Sequence, residues 1–310
     1  MKKRKRWIAL AALLVLALSV ALYPRGHSRG IFYRVSGGEN EMYLLGSIHI
    51  GSRGMYPFGP AIQKALERAS VLIFECDTQS QQAMADTQAL MLYPEGDGLS
   101  AHVSAECLAK LTHAAQKTGY DITALESIKP WAVTSLFSME TLAAQMGTSD
   151  VQKASELGVE NAVHRKSEGK KIRYLETVSE QLGLMDAFSP ALQEYLLNDA
   201  CTAILEPEKA LDEDLKKWPE WWTQGDAQAF ASSYLEGLKK EARPDLAREY
   251  HDALVSQRNR SMAQTLAVLL EDPETGDSFV TVGLMHLVLP GDSILDELQQ
   301  MGYQVEKIES

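Results

Sequence analysis

Two Gly-x-x-His motifs stand near opposite ends of the chain, Gly46-Ser47-Ile48-His49 and Gly283-Leu284-Met285-His286. Each follows a run that reads as a buried strand, Met42-Tyr43-Leu44-Leu45 and Ser278-Phe279-Val280-Thr281-Val282. A glycine at a strand end lets the backbone turn sharply, and the histidine three residues later is presented at the rim of the sheet. The two imidazoles are 237 residues apart, so they meet only where the fold joins the two strand ends. Brought together, they suit a metal site or a paired acid/base site. Either one alone reads equally well as a histidine capping a strand, and it is the repetition that favours chemistry.

Two carboxylates occupy the same kind of position. Val71-Leu72-Ile73-Phe74 ends in Glu75-Cys76-Asp77, and Lys171-Ile172-Arg173-Tyr174-Leu175 ends in Glu176-Thr177. Ligands of open α/β sheets bind outside the carboxyl ends of the strands. Four strands would therefore deliver His49, Glu75, Glu176 and His286 to one edge, although each Glu singly also suits a helix cap or a solvated rim. A fifth residue sits on a helix at about 246–270. Val255 and Met262 are seven apart and share a face, and Arg258 falls on that stripe with Asn259 beside it. An Arg in a buried stripe is costly unless an anion meets it, with Glu75 or Glu176 as the natural partner; otherwise it snorkels out along its aliphatic stem.

The elements that would position these residues are an opening hairpin and a series of strands joined by long helical stretches. Ile31–Val35 and Met42–Ile48 flank the turn residues Ser36-Gly37-Gly38-Glu39-Asn40. A helix over 57–69 follows, then the strand at 71–74. A mostly helical stretch runs from 80 to about 168, with the 3.6-residue apolar period clear over 99–118 and 130–145. The strand at 171–175 precedes a long helical block over 178–270. A strand at 278–282, a helix at 293–301 and a strand at 304–308 close the chain. Parallel strands with helical crossovers predict an α/β fold with a central, mostly parallel sheet and a large helical middle. Trp218-Pro219-Glu220-Trp221-Trp222 reads as packing between helices, with a hydrophobic wall for a substrate as the alternative.

Composition bounds the function classes. At 310 residues, 45% hydrophobic and 23% charged, the chain has material for a sizeable core. Residues 1–6 are a cationic head, and 7–23 carry no charge. With Ser19-Val20-Ala21 as a small-x-small site, residues 1–23 read as a signal peptide, or as a signal anchor left uncleaved. The domain at 30–310 is then exported to the periplasm or beyond, touching the membrane only through that segment. Losing Lys2, Lys3, Arg4, Lys5 and Arg6 with a cleaved leader takes the net charge from −12 to −17. So acidic a body argues against a nucleic-acid partner and suits a metal or cationic ligand. Cys76, Cys107 and Cys201 allow at most one intrachain bridge. Neither a CxxC pair, a Gly-x-Ser-x-Gly elbow nor a Gly-rich phosphate loop is present.

The run from Tyr43 through Gly46-Ser47-Ile48-His49 to Gly51, the strand into Glu75, and Val282-Gly283-Leu284-Met285-His286-Leu287 resemble the TraB/GumN family, which includes Tiki-type metalloproteases and plasmid pheromone-shutdown proteins. Lys129-Pro130-Trp131, Gly158-Val159-Glu160, the segment from Gly169 to Thr177, Gln181, the segment from Arg258 to Met262 and Gly302-Tyr303-Gln304-Val305 also match. The resemblance covers about 31–308 and implies an erythromycin-esterase/ChaN-like α/β fold. For Tiki-like members it also implies metal-dependent proteolysis. Carried over, His49 and His286 become metal ligands and Glu75 a ligand or base, with Glu176, Arg258 and Asn259 as supporting residues. Two positions depart from the family: Glu160 stands where Asp is usual, and Leu287 to Gly291 lacks a Gly close behind the histidine.

These readings converge on an exported metal-dependent hydrolase, a peptidase first among them. Two imidazoles and a carboxylate leave a coordination position open for water, and they accept Zn, Mn or Co alike. Glu75 or Glu176 would be the base, and Arg258 with Asn259 would hold the oxyanion. The alternative is a non-catalytic protein that captures a peptide or haem in the same cleft. A reporter active only outside the cytoplasm, fused after residue 30, is expected to be active; activity of a cytoplasm-only reporter at that point would contradict export.

Overall fold

The computed structural model describes residues 27–145, 150–209 and 213–309; the leader assigned to 1–23 lies outside them. Six strands form one sheet in the order β4-β3-β5-β2-β1-β6. They are β1 (Ile31–Ser36), β2 (Met42–Ser47), β3 (Val71–Phe74), β4 (Lys171–Tyr174), β5 (Ser278–Gly283) and β6 (Gln304–Lys307). The hairpin pairs β1 antiparallel to β2 with Tyr33 opposite Leu44, and β6 joins the far side of β1, also antiparallel. The other four are mutually parallel, β2 with β5, β5 with β3, and β3 with β4. The strands that carry the two His motifs and the two glutamates are thus those whose carboxyl ends lie on one edge.

Burial follows position in the sheet. All of β2 and β3 and nearly all of β5 are buried, as expected of parallel strands covered on both faces. The edge strands β4 and β6 are largely exposed or half-buried. Ile62 and Leu66, Val159 and Val163, Met262 and Leu266, and Ile294 and Leu298 pack from four helices into this core. Trp222 is fully buried there, donating its indole N–H to the Gly46 carbonyl at 2.7 Å. The helical middle has a core of its own, in which Cys107, Leu111, Val133, Phe137, Leu197 and Cys201 meet. All three cysteines are buried free thiols.

Several expected helices are divided, for local reasons. The periodic stretch from 99 is a 3₁₀ turn, Leu99–Ala101, followed by the helix Ala105–Thr118. Ser104 takes the Cys107 N–H on its side chain and so begins a new helix. The block over 178–270 is likewise a series, with Pro190, Pro219 and Pro244 in the first turn of three of its helices. Its last members, Pro244–His251 and Gln257–Glu271, are joined without a break by a π-helical turn, Asp252–Ser256.

The loop after β2, which carries His49, is held backbone against backbone. Gly51 donates its N–H to the Ala154 carbonyl at 3.0 Å, and Val159 donates to Ile48 at 3.1 Å. A Cβ on Gly51 would run into the Leu157 carbonyl, and one on Gly158 into the carbonyl of His49. These glycines permit the contact that sets His49 beside the start of helix Val159–His164. Gly51→Ala is expected to lower stability by about 1–3 kcal/mol through overpacking and to shift the amide resonances of 48–50 and 157–159. A urea midpoint like that of the unmodified protein would show the contact to be looser than described.

Candidate functional site

Glu75 leaves the end of β3 and is buried beneath Gly283, the last residue of β5. The Gly283 N–H donates to Glu75 Oε1, and a Cβ on Gly283 would stand 3.1 Å from that oxygen. The glycines of the two motifs are therefore not turn residues. Gly46 and Gly283 both lie within strands, Gly46 opposite Val282 and Gly283 opposite Ser47. What they provide is space: Gly46 against Leu284, Gly283 against the Glu75 carboxylate.

Arg258 enters this pocket from helix Gln257–Glu271, as its apolar stripe requires, and is 8% exposed. Its Nη2 donates to Glu75 Oε2 at 2.5 Å and to Glu176 Oε2 at 2.9 Å. Its Nε donates to both Glu176 oxygens at 3.1 Å. Its Nη1 donates to His286 Nε2 at 3.1 Å and to the Leu254 carbonyl at 3.4 Å. Every N–H of the guanidinium thus has a protein acceptor. Glu176 follows β4, where its N–H bonds the Glu75 carbonyl at 2.8 Å, so the two carboxylates leave adjacent strands side by side.

His286 lies in the short helix Met285–Val288. Its Nδ1 donates to Asn259 Oδ1 at 2.6 Å, and Asn259 Nδ2 donates to the Asp292 carbonyl at 2.7 Å, which fixes the amide. That leaves Nε2 with its lone pair, 3.9 Å from Glu75 Oε1. Burial, with the Arg258 charge assisting against the pull of Glu75, pushes His286 down to about 4, so the ring is neutral at physiological pH. Burial would push Glu75 up, but His286, Arg258 and the Gly283 N–H together hold it at about 2. With His286 neutral its share of that pull is lost, and Arg258 and the Gly283 N–H remain to hold Glu75 below the usual carboxylate range. Burial pushes Glu176 up against the opposing pull of Arg258.

A cavity of 270 Å³ opens over this cluster, with His49, Glu75, Arg258 and His286 in its lining. His49 is exposed at its mouth. Glu176 and Asn259 are not in that lining. Glu176 faces a separate hollow on the other side of Arg258, and Asn259 is fully buried behind His286. In this arrangement Arg258 spends its donors on Glu75, Glu176, His286 and the Leu254 carbonyl, and Asn259 bonds His286 and the Asp292 carbonyl. His286 Nε2 and Glu75 Oε1 are donor types that a divalent cation takes, and here both are engaged, by Arg258 Nη1 and by the Gly283 N–H. Among the described residues, no three His, Cys, Asp or Glu side chains are drawn closely enough together to hold a metal ion.

Further residues surround this cluster. Glu160, noted from the sequence only as a departure from a family pattern, is close enough for the charges of His49 and Glu75 to act on it, and burial pushes its carboxyl up. Gln181 donates to Glu75 Oε2 at 3.2 Å and accepts from the Cys76 thiol at 3.0 Å. Tyr234, Tyr250, Trp218 and Leu142 bring the helical middle over the cavity. The Trp cluster thus divides, Trp222 in the core and Trp218 on the cleft. No local pattern marked Tyr234, whose helix the sequence reading had merged into one block.

Fold and site together define an α/β protein with a buried ion-pair cluster at the carboxyl edge of a parallel sheet, closed over by helices. The TraB/PrgY/gumN family matches residues 31–307, and the chain belongs to that family. It is 24% identical over 257 residues to the uncharacterized protein YbaP of Escherichia coli strain K12, covering 82% of this chain and 87% of YbaP. The YbaP protein of Shigella flexneri is similar to the same degree. No solved structure matches the chain.

Removing Arg258 leaves two carboxylates buried without their cation, so Arg258→Ala is expected to cost about 3–5 kcal/mol. Arg260 is exposed, and Arg260→Ala is expected to stay within about 0.5 kcal/mol. Arg258→Lys restores the charge without the planar fork that bridges Glu75, Glu176 and His286, and recovers stability only in part. Equal, small shifts in urea midpoint at 258 and 260 would refute this account of the cluster.

Proposed function

We propose that this cleft is the catalytic site of a metal-dependent hydrolase, and that its substrates are peptides or proteins. The observation that carries the reading is the convergence of His286 and Glu75, Nε2 and Oε1 3.9 Å apart at the carboxyl edge of the sheet, with His49 in the lining of the same cavity. His286, Glu75 and His49 would hold the cation, with His49 supplied from the exposed mouth of the same cavity. A divalent ion there, Mn, Co or Zn by donor type, would acidify water and polarise a carbonyl.

The protein's own groups do the rest. Asn259 holds the His286 ring through Nδ1, the outer support that metal-binding histidines commonly have. Arg258 and Gly283 keep Glu75 charged, which makes it a strong ligand and a weak base. Trp218, Leu142 and Tyr250 give the cavity an apolar wall, suited to holding a side chain next to the scissile bond. On the reading of 1–23 as a leader or anchor, the site would work outside the cytoplasm.

One observation favours a second reading, a non-catalytic cleft for a peptide or haem. All donors of Arg258 and both oxygens of Glu75 already have partners within the protein, as a rigid binding site would also have.

Calorimetric titration of Mn²⁺, Co²⁺ and Zn²⁺ into tag-free protein, with a quenched-fluorescent peptide library assayed with and without chelator, separates the two. One equivalent of metal is expected, lost in His286→Ala and in Glu75→Gln, with hydrolysis stopped by the chelator. Chelator-resistant hydrolysis would overturn the metal assignment. Absence of hydrolysis together with a Soret band on haem addition would establish the binding reading in its place.

A further inference from the structure

Glu75 is the only carboxylate among the described residues lining the cavity, and both of its oxygens already accept hydrogen bonds from Gln181, Arg258 and the Gly283 N–H. A hydrolytic site needs another proton acceptor, and the helical side of the cavity offers one. Tyr234, from helix Ala227–Lys240, lines the cavity. Its hydroxyl lies 3.0 Å from His251 Nδ1. His251 Nε2 lies 2.8 Å from Asp292 Oδ2, which also accepts the Ser256 hydroxyl at 2.6 Å.

We propose that Tyr234, His251 and Asp292 form a proton relay serving this cleft, with Tyr234 the member that faces the substrate. This inference rests on the hydrolase reading above and supplies the base that reading lacks. The bonds fix the direction. The Asp292 carboxylate only accepts, so His251 carries its proton on Nε2 and donates it to Asp292. His251 Nδ1 then has a lone pair and accepts the Tyr234 O–H, which leaves the phenol oxygen free to accept from the cavity. As water oxygen bonds the substrate carbonyl carbon, a water proton passes to Tyr234 Oη and the phenol proton passes to His251 Nδ1. The imidazolium is held by Asp292. When the carbon–nitrogen bond breaks, the same two transfers in reverse deliver a proton to the leaving amine. No net proton or electron is left in the protein. The phenol need not become phenolate, in keeping with burial, Tyr250 and Asp292 raising its pKa.

Asp292 is also the junction between this relay and the Glu75 cluster. Its carboxylate holds His251, while its carbonyl takes the Asn259 amide that fixes His286. Both histidines are thereby oriented by a single residue in the loop after the second Gly-x-x-His motif. Asp292→Asn keeps the carbonyl and removes only the carboxylate, so it perturbs His251 and spares His286.

The test uses the full chain, with the divalent metal that supports hydrolysis in the titration above and the most rapidly cleaved peptide of the library. In Tyr234→Phe and His251→Gln, kcat is expected to fall about 10²- to 10⁴-fold, with KM within about threefold and the melting temperature nearly unchanged. The double variant is expected to be no slower than the worse single one, as for groups acting as a unit. In ¹⁵N spectra of histidine-labelled protein, His251 carries its proton on Nε2, and in Asp292→Asn that preference is lost. Tyr234→Phe retaining kcat within threefold would overturn the relay, as would a wild-type His251 protonated on Nδ1. If the wild-type protein cleaves no peptide, the peptidase reading fails and the ¹⁵N spectra decide alone. The Nε2–H form then supports the relay and the Nδ1–H form overturns it.

Discussion

A single guanidinium reaches two buried carboxylates and a neutral imidazole, and the arrangement of the sheet edge depends on it. Taking Glu75, Glu176 and Arg258 out of water is costly, and the attraction between them offsets that cost only with well-formed hydrogen bonds. Arg258 meets this condition with a partner for every N–H. The geometry in turn requires β3, β4 and β5 to end side by side, a glycine at 283 to admit a carboxylate, and a helix whose buried stripe can deliver a cation. The cluster holds two carboxylates against one fixed positive charge.

The sequence made much of this legible because its signals were local and periodic. Strand runs ending in Glu75, Glu176, His49 and His286 were visible as short apolar stretches, and parallel pairing put all four at one edge. Arg258 was recognisable because a charge on a seven-residue apolar repeat has few inexpensive explanations. The roles were harder to read than the places. Glu176 and Asn259 are near the cleft without facing it, a distinction that depends on side-chain direction and not on spacing. The motif glycines were taken for turn formers, whereas they make room for Leu284 and for a carboxylate from a strand 208 residues away in sequence. Tyr234, His251 and Glu160 come from helices whose packing over the sheet no residue pattern specified.

Membership of the TraB/PrgY/gumN family agrees with this division. The family match spans the sheet and the helical middle alike, while the curated relatives, at 24% identity, bring no assigned activity with them. What distinguishes a catalytic site from a binding cleft here is proton traffic. The lining carboxylate is fully occupied by hydrogen bonds, and the proposed relay places a hydroxyl and an imidazole on the helical side of the cleft.

The π turn at Asp252–Ser256 bears on how one helix serves both clusters. In an unbroken α-helix, residues seven apart are offset by only about 20°, so His251 would point almost where Arg258 points and crowd the same strand ends. A π turn advances less around the axis per residue than an α turn, so five such residues accumulate a phase difference between the segments on either side. The stretch from 244 to 271 therefore has two azimuths, one aimed at the Glu75 edge and one at Tyr234 and Asp292. It works as a vernier, setting the angle between two polar groups more finely than the 100° step of a regular helix allows.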